Sequence, residues 1–436
     1  MLDVALVFIF FAAVAFLGFI INALFYKLKI SNILPLMLIG VLVGPVFHII
    51  NTGPGSLASF LAPYISAIAI AFILFDVGLN MEAGRLASVF ARATTFTMAL
   101  GAATGIAIAA LAYYLLGWNL LVALIFGFAV AGPSSISVPA LMKVIKARVD
   151  LKTVLRYESV TSDLLQLIVP LVLIGLILSP ITTLSEVAYF TFTVVIGSIL
   201  LALVSALFWL YIMNRYREQS KSYSWMLTVT MIVATYGVAE ALNLAGAIAV
   251  FVFGIAFATI GGIENAKKGS LLSANIFRKF SLPSGIKHIR SYQREIVFVT
   301  NTFFFVYVGM LLNLGGITLY LLAAASAITI LIVLLRFAFS PMIGKYYDED
   351  NKTMNAERLL VYFDIARGIS PIIIAVALIT NNIIVPGLLT LIFLVVLLTN
   401  IVSTAGIWIA YKDIEWIGSA NGEAAKKGQE KLGSKK

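Results

Sequence analysis

The sequence predicts an all-α polytopic membrane protein with thirteen transmembrane helices. Of its 436 residues, 61% are hydrophobic and only 11% are charged, whereas soluble domains carry about 25% charged residues. So few charges cannot cover a water-facing surface. The chain also divides into apolar runs with short polar breaks, and a helix needs roughly 20 such residues to cross a bilayer.

Thirteen apolar runs account for most of the chain. Gly, Pro and Asn residues typical of turns separate several of them. The first run follows Asp3 and no basic residue, so it lacks the pattern of a cleavable signal peptide. The runs are 4–26, 31–50, 57–79, 93–116, 119–142, 153–178, 184–213, 223–240, 243–260, 296–312, 317–344, 357–380 and 384–410.

The basic residues are distributed unevenly between the runs. Of the 30 Lys and Arg, 28 lie in the loops after odd-numbered runs or, as Arg156 and Arg358 do, within the first four residues of the run that follows. No loop after an even-numbered run contains one, and Arg336 and Arg367 lie deeper inside runs. By the positive-inside rule this predicts an external N-terminus and a cytoplasmic C-terminus in the plasma membrane. The net charge of +10 therefore reflects orientation, and we expect no binding to nucleic acid.

The remaining composition excludes several classes of site. The absence of Cys and the presence of only two His argue against disulfides and structural zinc, and no cofactor is expected. Residues 1–413 are predicted to form the transmembrane domain. The long basic loop 261–295 is interpreted as a connector that can include an amphipathic surface helix. Residues 414–436 are predicted to be a disordered basic cytoplasmic tail.

Two runs contain internal breaks. Gly132 and Pro133 interrupt the fifth run, and Gly368 and Pro371 interrupt the twelfth. Pro removes a backbone donor, and unwound backbone is tolerated in a membrane only against protein or a water-filled cavity. If the chain consists of two inverted repeats, the breaks occupy the fifth element of each half. A matched pair of interrupted helices indicates a transporter site.

Asp163, in the sixth run, is the strongest candidate for a functional acid. It is near mid-depth, where a charge is costly and is functional by default. Burial disfavours the charged form of a carboxyl group, so Asp163 suits alternate binding of a proton and a metal cation. Glu158 is five residues earlier, on a different face of the helix, and is interpreted as the partner of a buried Arg in a structural ion pair.

Two further acids are interpreted differently. Asp364 and Arg367 are three residues apart, a spacing that favours a local ion pair in a helix, so Asp364 is assigned a structural role. Asp76 precedes Gly78 near the cytoplasmic end of the third run. It can be either a solvated helix-end residue or a part of the site.

At these positions the sequence resembles the monovalent cation:proton antiporters, specifically the NhaP-type sodium/proton exchangers. The most specific similarity is Glu158 to Asp163, which resembles the Glu-Ser-Leu-x-Asn-Asp motif. Residues 74–79 resemble Leu-Phe-Glu-x-Gly-Leu. The other similar segments are 34–45, 303–310 and 366–368.

This resemblance implies a role for each charged residue. Asp163 would bind the transported cation and the proton. Glu158 and Arg336 would form the buried ion pair of the core, and Arg367 would be a second core Arg. Asp76 would contribute to the ion site.

The resemblance also implies an architecture. Core helices, approximately 93–178 and 317–410, would move in an elevator-like manner against dimerisation helices, approximately 4–79 and 184–312. The protein would be a homodimer.

The sequence departs from the family pattern at two places. The fifth run has Ala131-Gly132-Pro133 where Thr-Asp-Pro is expected, so the usual second carboxylate is missing, and Ser162 replaces an Asn. Unwound backbone with Ser134, Ser135 and Ser162 would then supply neutral oxygen ligands. Sodium is the first expectation, with potassium and lithium as alternatives.

Because Arg cannot release its proton and no Lys lies inside a run, Asp163 is predicted to be the main titrating site. Competition of one cation and one proton for it predicts electroneutral 1:1 exchange. The alternatives are an inverted-repeat solute symporter and, from another class, an intramembrane aspartyl protease using Asp76 and Asp163. A non-transporting sensor on the same fold is a further alternative.

Overall fold

The computed structural model describes residues 4–28, 33–50, 56–79, 83–134, 149–178, 184–263, 286–312, 314–346 and 351–409. Within these ranges the regular structure is helical, with fourteen α-helices. They are α1 (Val4–Leu28), α2 (Ile33–Val41), α3 (Leu57–Leu79), α4 (Ala83–Leu116), α5 (Leu120–Ala129), α6 (Val149–Leu178), α7 (Leu184–Arg215), α8 (Arg217–Ala241), α9 (Gly246–Ile263), α10 (Ile286–Met310), α11 (Leu319–Phe339), α12 (Asn351–Phe363), α13 (Ser370–Thr380) and α14 (Leu388–Ile409).

Every predicted run overlaps a helix, and the twelfth run overlaps two helices, α12 and α13. Five helical segments are long and apolar enough to cross a membrane: Thr94–Leu116, Leu151–Leu178, Ala188–Met213, Leu319–Ile343 and Leu388–Ile409. Several helices begin before the apolar run, as at Ala83 and Ile286, because polar residues extend a helix beyond the segment that hydropathy detects. The all-helical prediction is confirmed for the described residues.

Large apolar side chains cover the outside of the helices. Phe8 and Phe16 on α1 are 72% and 65% exposed, and Val204 on α7 is 62% exposed. Soluble proteins rarely expose contiguous apolar faces of this kind. The surface therefore fits a multi-pass membrane protein whose outer helices contact lipid.

The helix contacts form two groups. In one group α4, α5 and α6 pack against each other, α11 packs on α4, and α13 packs on α5 and α6. In the other, α2 and α3 pack on α10, and α7, α8 and α3 pack on α9. Contacts of α13 with α3 and of α4 with α9 join the groups.

Small residues allow close helix approach in the second group. A Cβ atom on Gly40 of α2 would overlap the Val306 carbonyl oxygen of α10, and one on Gly309 would overlap that of Met37. Such close backbone approach is typical of packing inside membranes, where dispersion contacts replace the hydrophobic effect.

Both predicted helix breaks lie in the first group. Helix α5 ends at Ala129, and residues 130–134 are not helical; the rest of the fifth run, 135–142, lies outside the described residues. Residues 364–369 separate α12 from α13. Pro371 is in the first turn of α13, where its missing N–H would have no helical acceptor. Of the loop 261–295, residues 264–285 lie outside the described ranges, as does the tail 414–436.

Candidate ion-binding site

The two interrupted segments meet in the protein interior. The Ser134 backbone N–H donates a hydrogen bond to the Ala366 carbonyl oxygen at 2.9 Å. A Cβ atom on Gly368 would overlap Ser134 Oγ and would lie 2.6 Å from Ser134 Cβ, so the segments touch at a position with no space for a side chain. Unwound backbone of one segment is thus satisfied in part by the other, as burial in a membrane requires.

Asp163 lies on α6 beside this crossing. Its side chain is 5% exposed, and its Oδ1 atom accepts a hydrogen bond of 3.0 Å from Ser370 Oγ. Ser370 is the first residue of α13, so the hydroxyl joins the acid to the second interrupted segment.

Ser162 and Gln166 face the first break from α6. Both are buried and are four residues apart, which puts them on one face of the helix. A Cβ atom on Gly132 would overlap Ser162 Cβ and would lie 3.0 Å from Gln166 Nε2. Helix α6 therefore contacts the first break through Ser162 and Gln166, and the second through Asp163.

A buried ion network lies farther along α6. Arg336 of α11 binds Glu158 with both terminal nitrogens, at 2.9 Å between Nη2 and Oε2. Its Nη2 atom lies 3.3 Å from Asp364 Oδ2, and its Nε donates to the Val361 carbonyl oxygen at 2.7 Å. The guanidinium carbon is 5.5 Å from the centre of the Phe96 ring. The Glu158–Arg336 contact that the resemblance implied is present.

Among the described residues, Asp364 does not form a salt bridge with Arg367, the local partner that the sequence suggested. Asp364 instead pairs with Arg336 across helices. The expectation assumed a helix, in which residues three apart are neighbours. Residues 364–369 are not helical, and the Ile365 N–H donates to the Phe363 carbonyl oxygen in a tight turn.

Arg367 contacts the other interrupted segment. Its Nη2 atom donates to the Ala131 carbonyl oxygen at 3.2 Å, and its own carbonyl oxygen accepts from Asn400 Nδ2 of α14 at 2.7 Å. Its Nε atom has no hydrogen-bond partner among the described residues. A small cavity, with room for about one water molecule, lies beside Arg367 and is also lined by Asp364 and Thr104.

The other predicted site residues occupy different surroundings. Ser134 and Pro133 are buried in the first break. Asp76 is half-buried on α3, next to the segment where Gly78 packs closely on α9. Ser135 lies outside the described residues.

Three residues that contact Asp163 or the two breaks were not predicted from the sequence: Ser370, Gln166 and Asn400. Ser370 lies between Gly368 and Pro371, the residues that mark the predicted break of the twelfth run, and its hydroxyl next to Pro371 was an available signal. Gln166 and Asn400 are polar side chains inside apolar runs, and uncharged amides are weaker signals there than charges. Asn400 donates to the Arg367 and Val396 carbonyl oxygens, which anchors the second break to α14.

The site is mixed in charge and rich in neutral oxygens. The buried charged side chains around the crossing are the acids Asp163, Glu158 and Asp364 and the bases Arg336 and Arg367. The acids exceed the bases by one. Glu357 of α12 is also buried and makes an interaction of its own, and it is not counted with these five groups. A single carboxylate with hydroxyl and carbonyl oxygens nearby is suited to a hard monovalent cation.

Comparison with known proteins identifies the family and the fold. A family described as "Sodium/hydrogen exchanger, transmembrane" matches residues 10–410. The fold is similar to that of the sodium/proton antiporter MjNhaP1 from Methanocaldococcus jannaschii at pH 8, with 19% identity and a TM-score of 0.70 over 92% of this chain and 97% of that one. An electron-microscopy structure of the same antiporter gives 18% identity and a TM-score of 0.67, over 96% and 99% of the chains. No curated protein matches the sequence significantly.

Proposed function

Because the chain belongs to the sodium/hydrogen exchanger family, we propose that it is a secondary active antiporter in which one monovalent cation, sodium in the first place, and one proton compete for Asp163. Potassium and lithium are the alternative cations. The exchange is electroneutral, with alternating exposure of Asp163 to the two sides of the membrane.

The charge balance around the crossing is the observation that carries this proposal. Arg336 lies between Glu158 and Asp364, and Arg367 is the only other basic side chain among the buried charges of the described residues. With the five groups at the crossing all ionised, the acids Asp163, Glu158 and Asp364 exceed the bases Arg336 and Arg367 by one negative charge. Glu357 of α12 is not counted in this set. A buried net charge is unfavourable, so one proton or one monovalent cation restores neutrality, which supports 1:1 exchange.

Asp163 is the central ligand of the proposed site. Ser162 on α6 and Ser134 in the first break would supply hydroxyl oxygens, and Ser135 and Asp76 are assigned to the same site from the sequence. The hydrogen bond from Ser370 orients the Asp163 carboxylate. Arg336 and Glu158 hold the helices together, since an Arg without its acid in the interior would be strongly destabilising.

The contact pattern supports the division into two domains. Core helices within 93–178 and 317–410 would carry the site, while helices within 4–79 and 184–312 would form the dimerisation domain of a homodimer. The proposed topology has thirteen spans in two inverted repeats, an external N-terminus and a cytoplasmic C-terminus in the plasma membrane.

The three alternative functions, a protease, a solute symporter and a non-transporting sensor, are supported to different degrees. Family membership identifies a transporter and not an enzyme, so the aspartyl protease is dropped. The solute symporter would use Arg367 and Arg336 to bind an organic anion. Both guanidinium groups already contact acids or carbonyl oxygens, which disfavours it. The non-transporting sensor is distinguished from the antiporter by flux alone.

Ion flux in proteoliposomes tests the proposal. With an outward proton gradient, uptake of ²²Na⁺, ⁸⁶Rb⁺ as a potassium substitute, and Li⁺ is measured at clamped membrane voltage. We expect gradient-driven uptake of at least one cation that does not change with voltage. Uptake that follows the voltage would contradict 1:1 exchange, and no uptake of any cation would contradict the antiporter.

A further inference from the structure

Gln166 is a buried amide that the proposed mechanism does not use. It is 1% exposed and lies on α6, three residues after Asp163 and four after Ser162. Its Nε2 atom has no hydrogen-bond partner among the described residues. Because buried polar groups are nearly always paired, this amide requires an explanation.

The two other buried amides among the described residues, Asn400 and Gln293, are bonded through their nitrogen. Asn400 Nδ2 donates to the Arg367 and Val396 carbonyl oxygens at 2.7 and 2.8 Å. Gln293 Nε2 donates to the Phe72 carbonyl oxygen at 3.1 Å. The Gln293 Oε1 atom has no partner among the described residues, so Gln166 differs from both in its unpartnered nitrogen and in lying at the ion site.

Because Gly132 has no side chain, there is space beside it for the Nε2 end of the Gln166 amide. A side chain at position 132 would begin 3.0 Å from Gln166 Nε2 and 2.6 Å from Ser162 Oγ. This is the position where the sequence lacks the carboxylate expected from its family resemblance. Without a side chain there, the amide of Gln166 reaches the edge of the first break.

An amide end can present either of two atoms. A half-turn about the last side-chain bond exchanges the nitrogen and the oxygen, which occupy nearly the same positions. The end that faces Gly132 can therefore present a carbonyl oxygen. Such an oxygen is neutral, and it binds a hard cation without changing the charge balance of the site.

We propose that Gln166 is a further ligand of the transported cation, with its amide oxygen directed to the space beside Gly132 and Asp163. Gln166 thereby contributes to the selection among monovalent cations. This inference rests on the proposed antiport function, because it assigns a ligand to the same site.

The test replaces Gln166 with Met, which has a similar length and no amide. Gln293→Met is the matched control, because it removes a buried amide on α10 that is not at the break. Initial rates of proton-gradient-driven ²²Na⁺ and Li⁺ uptake are measured against cation concentration. For Gln166→Met we expect KM for Na⁺ to rise about tenfold or more, with a changed Na⁺ to Li⁺ ratio of KM and a retained maximal rate. Gln293→Met should leave KM unchanged.

An unchanged KM in Gln166→Met, or an equal rise in Gln293→Met, would overturn the inference. Gln166→Glu keeps an oxygen at the same reach, so its KM for Na⁺ should stay closer to that of the wild type than the KM of Gln166→Met. An equal loss in both Gln166 variants would indicate a packing role instead.

Binding without transport separates this inference from the proposed function. Stabilisation of the purified protein against heat by Na⁺ should require a higher Na⁺ concentration in Gln166→Met than in the wild type, even if the wild type does not transport. A wild type that binds Na⁺ but shows no exchange would contradict the antiporter alone. Equal Na⁺ stabilisation of wild type and Gln166→Met would contradict the ligand role alone.

Discussion

Ser370 donates its hydroxyl hydrogen to Asp163 Oδ1 over 3.0 Å, and this bond links the proposed transport acid on α6 to the first residue of α13. A donor of this kind stabilises the ionised carboxylate. The second interrupted helix therefore influences how strongly a proton competes with a cation for Asp163.

Replacing Ser370 with Ala should move the pH dependence of exchange. Loss of the donor favours the protonated carboxyl group, so the pH of half-maximal Na⁺ uptake should rise. A hydrogen bond to a charged group contributes roughly 1.5–3 kcal/mol, which corresponds to a shift of about one to two pH units. The measurement is the pH profile of ²²Na⁺ uptake in proteoliposomes. Ser326→Ala, on the exposed side of α11, is the control, and a profile of Ser370→Ala equal to that of the wild type would contradict the assignment.

Replacing Gly368 with Ala should separate the two interrupted segments. The new Cβ atom would overlap Ser134 Oγ and approach Ser134 Cβ to 2.6 Å, and rotation of the hydroxyl cannot relieve the second contact. Forced expansion of a packed site costs about 1–3 kcal/mol, so we expect exchange to fall by about tenfold or more. Gly237→Ala is the matched control, because a Cβ atom there would meet nothing within 4 Å. Equal exchange rates in the two variants would show that the contact at Gly368 is not needed.

The ion network predicts an order of stability. Glu158→Gln leaves Arg336 with Asp364 as its remaining acidic partner, whereas Arg336→Met leaves Glu158 and Asp364 without their shared base. Removing one partner of a buried pair costs about 3–5 kcal/mol. Melting temperatures in detergent should therefore fall for Glu158→Gln and fall further for Arg336→Met. The reverse order would mean that Arg336 does not hold the two acids together.

Sequence alone predicted the helices well, because an apolar run long enough to cross a bilayer leaves few other structures available. The breaks near Pro133 and Pro371 were predicted because Pro and Gly disrupt a helix locally. Each of these features depends on residues that are close in the chain.

The contacts of the site could not be predicted in this way. Ser370 and Asp163 are far apart in sequence, and nothing in either segment specifies that they meet. The salt bridge of Asp364 with Arg336 was not predicted, because the rule for residues three apart presumes a helix where the chain is unwound. The space left by Gly132 for Gln166 is likewise a property of packing between two segments.

The central claim is that Asp163 is the shared binding site of cation and proton. The most direct test is ²²Na⁺ uptake driven by a pH gradient into proteoliposomes that contain Asp163→Asn, compared with the wild type at equal protein content. Asn has nearly the same shape and cannot ionise, so the account predicts a folded protein with no uptake above empty liposomes. Uptake by Asp163→Asn that still responds to the pH gradient would contradict the account.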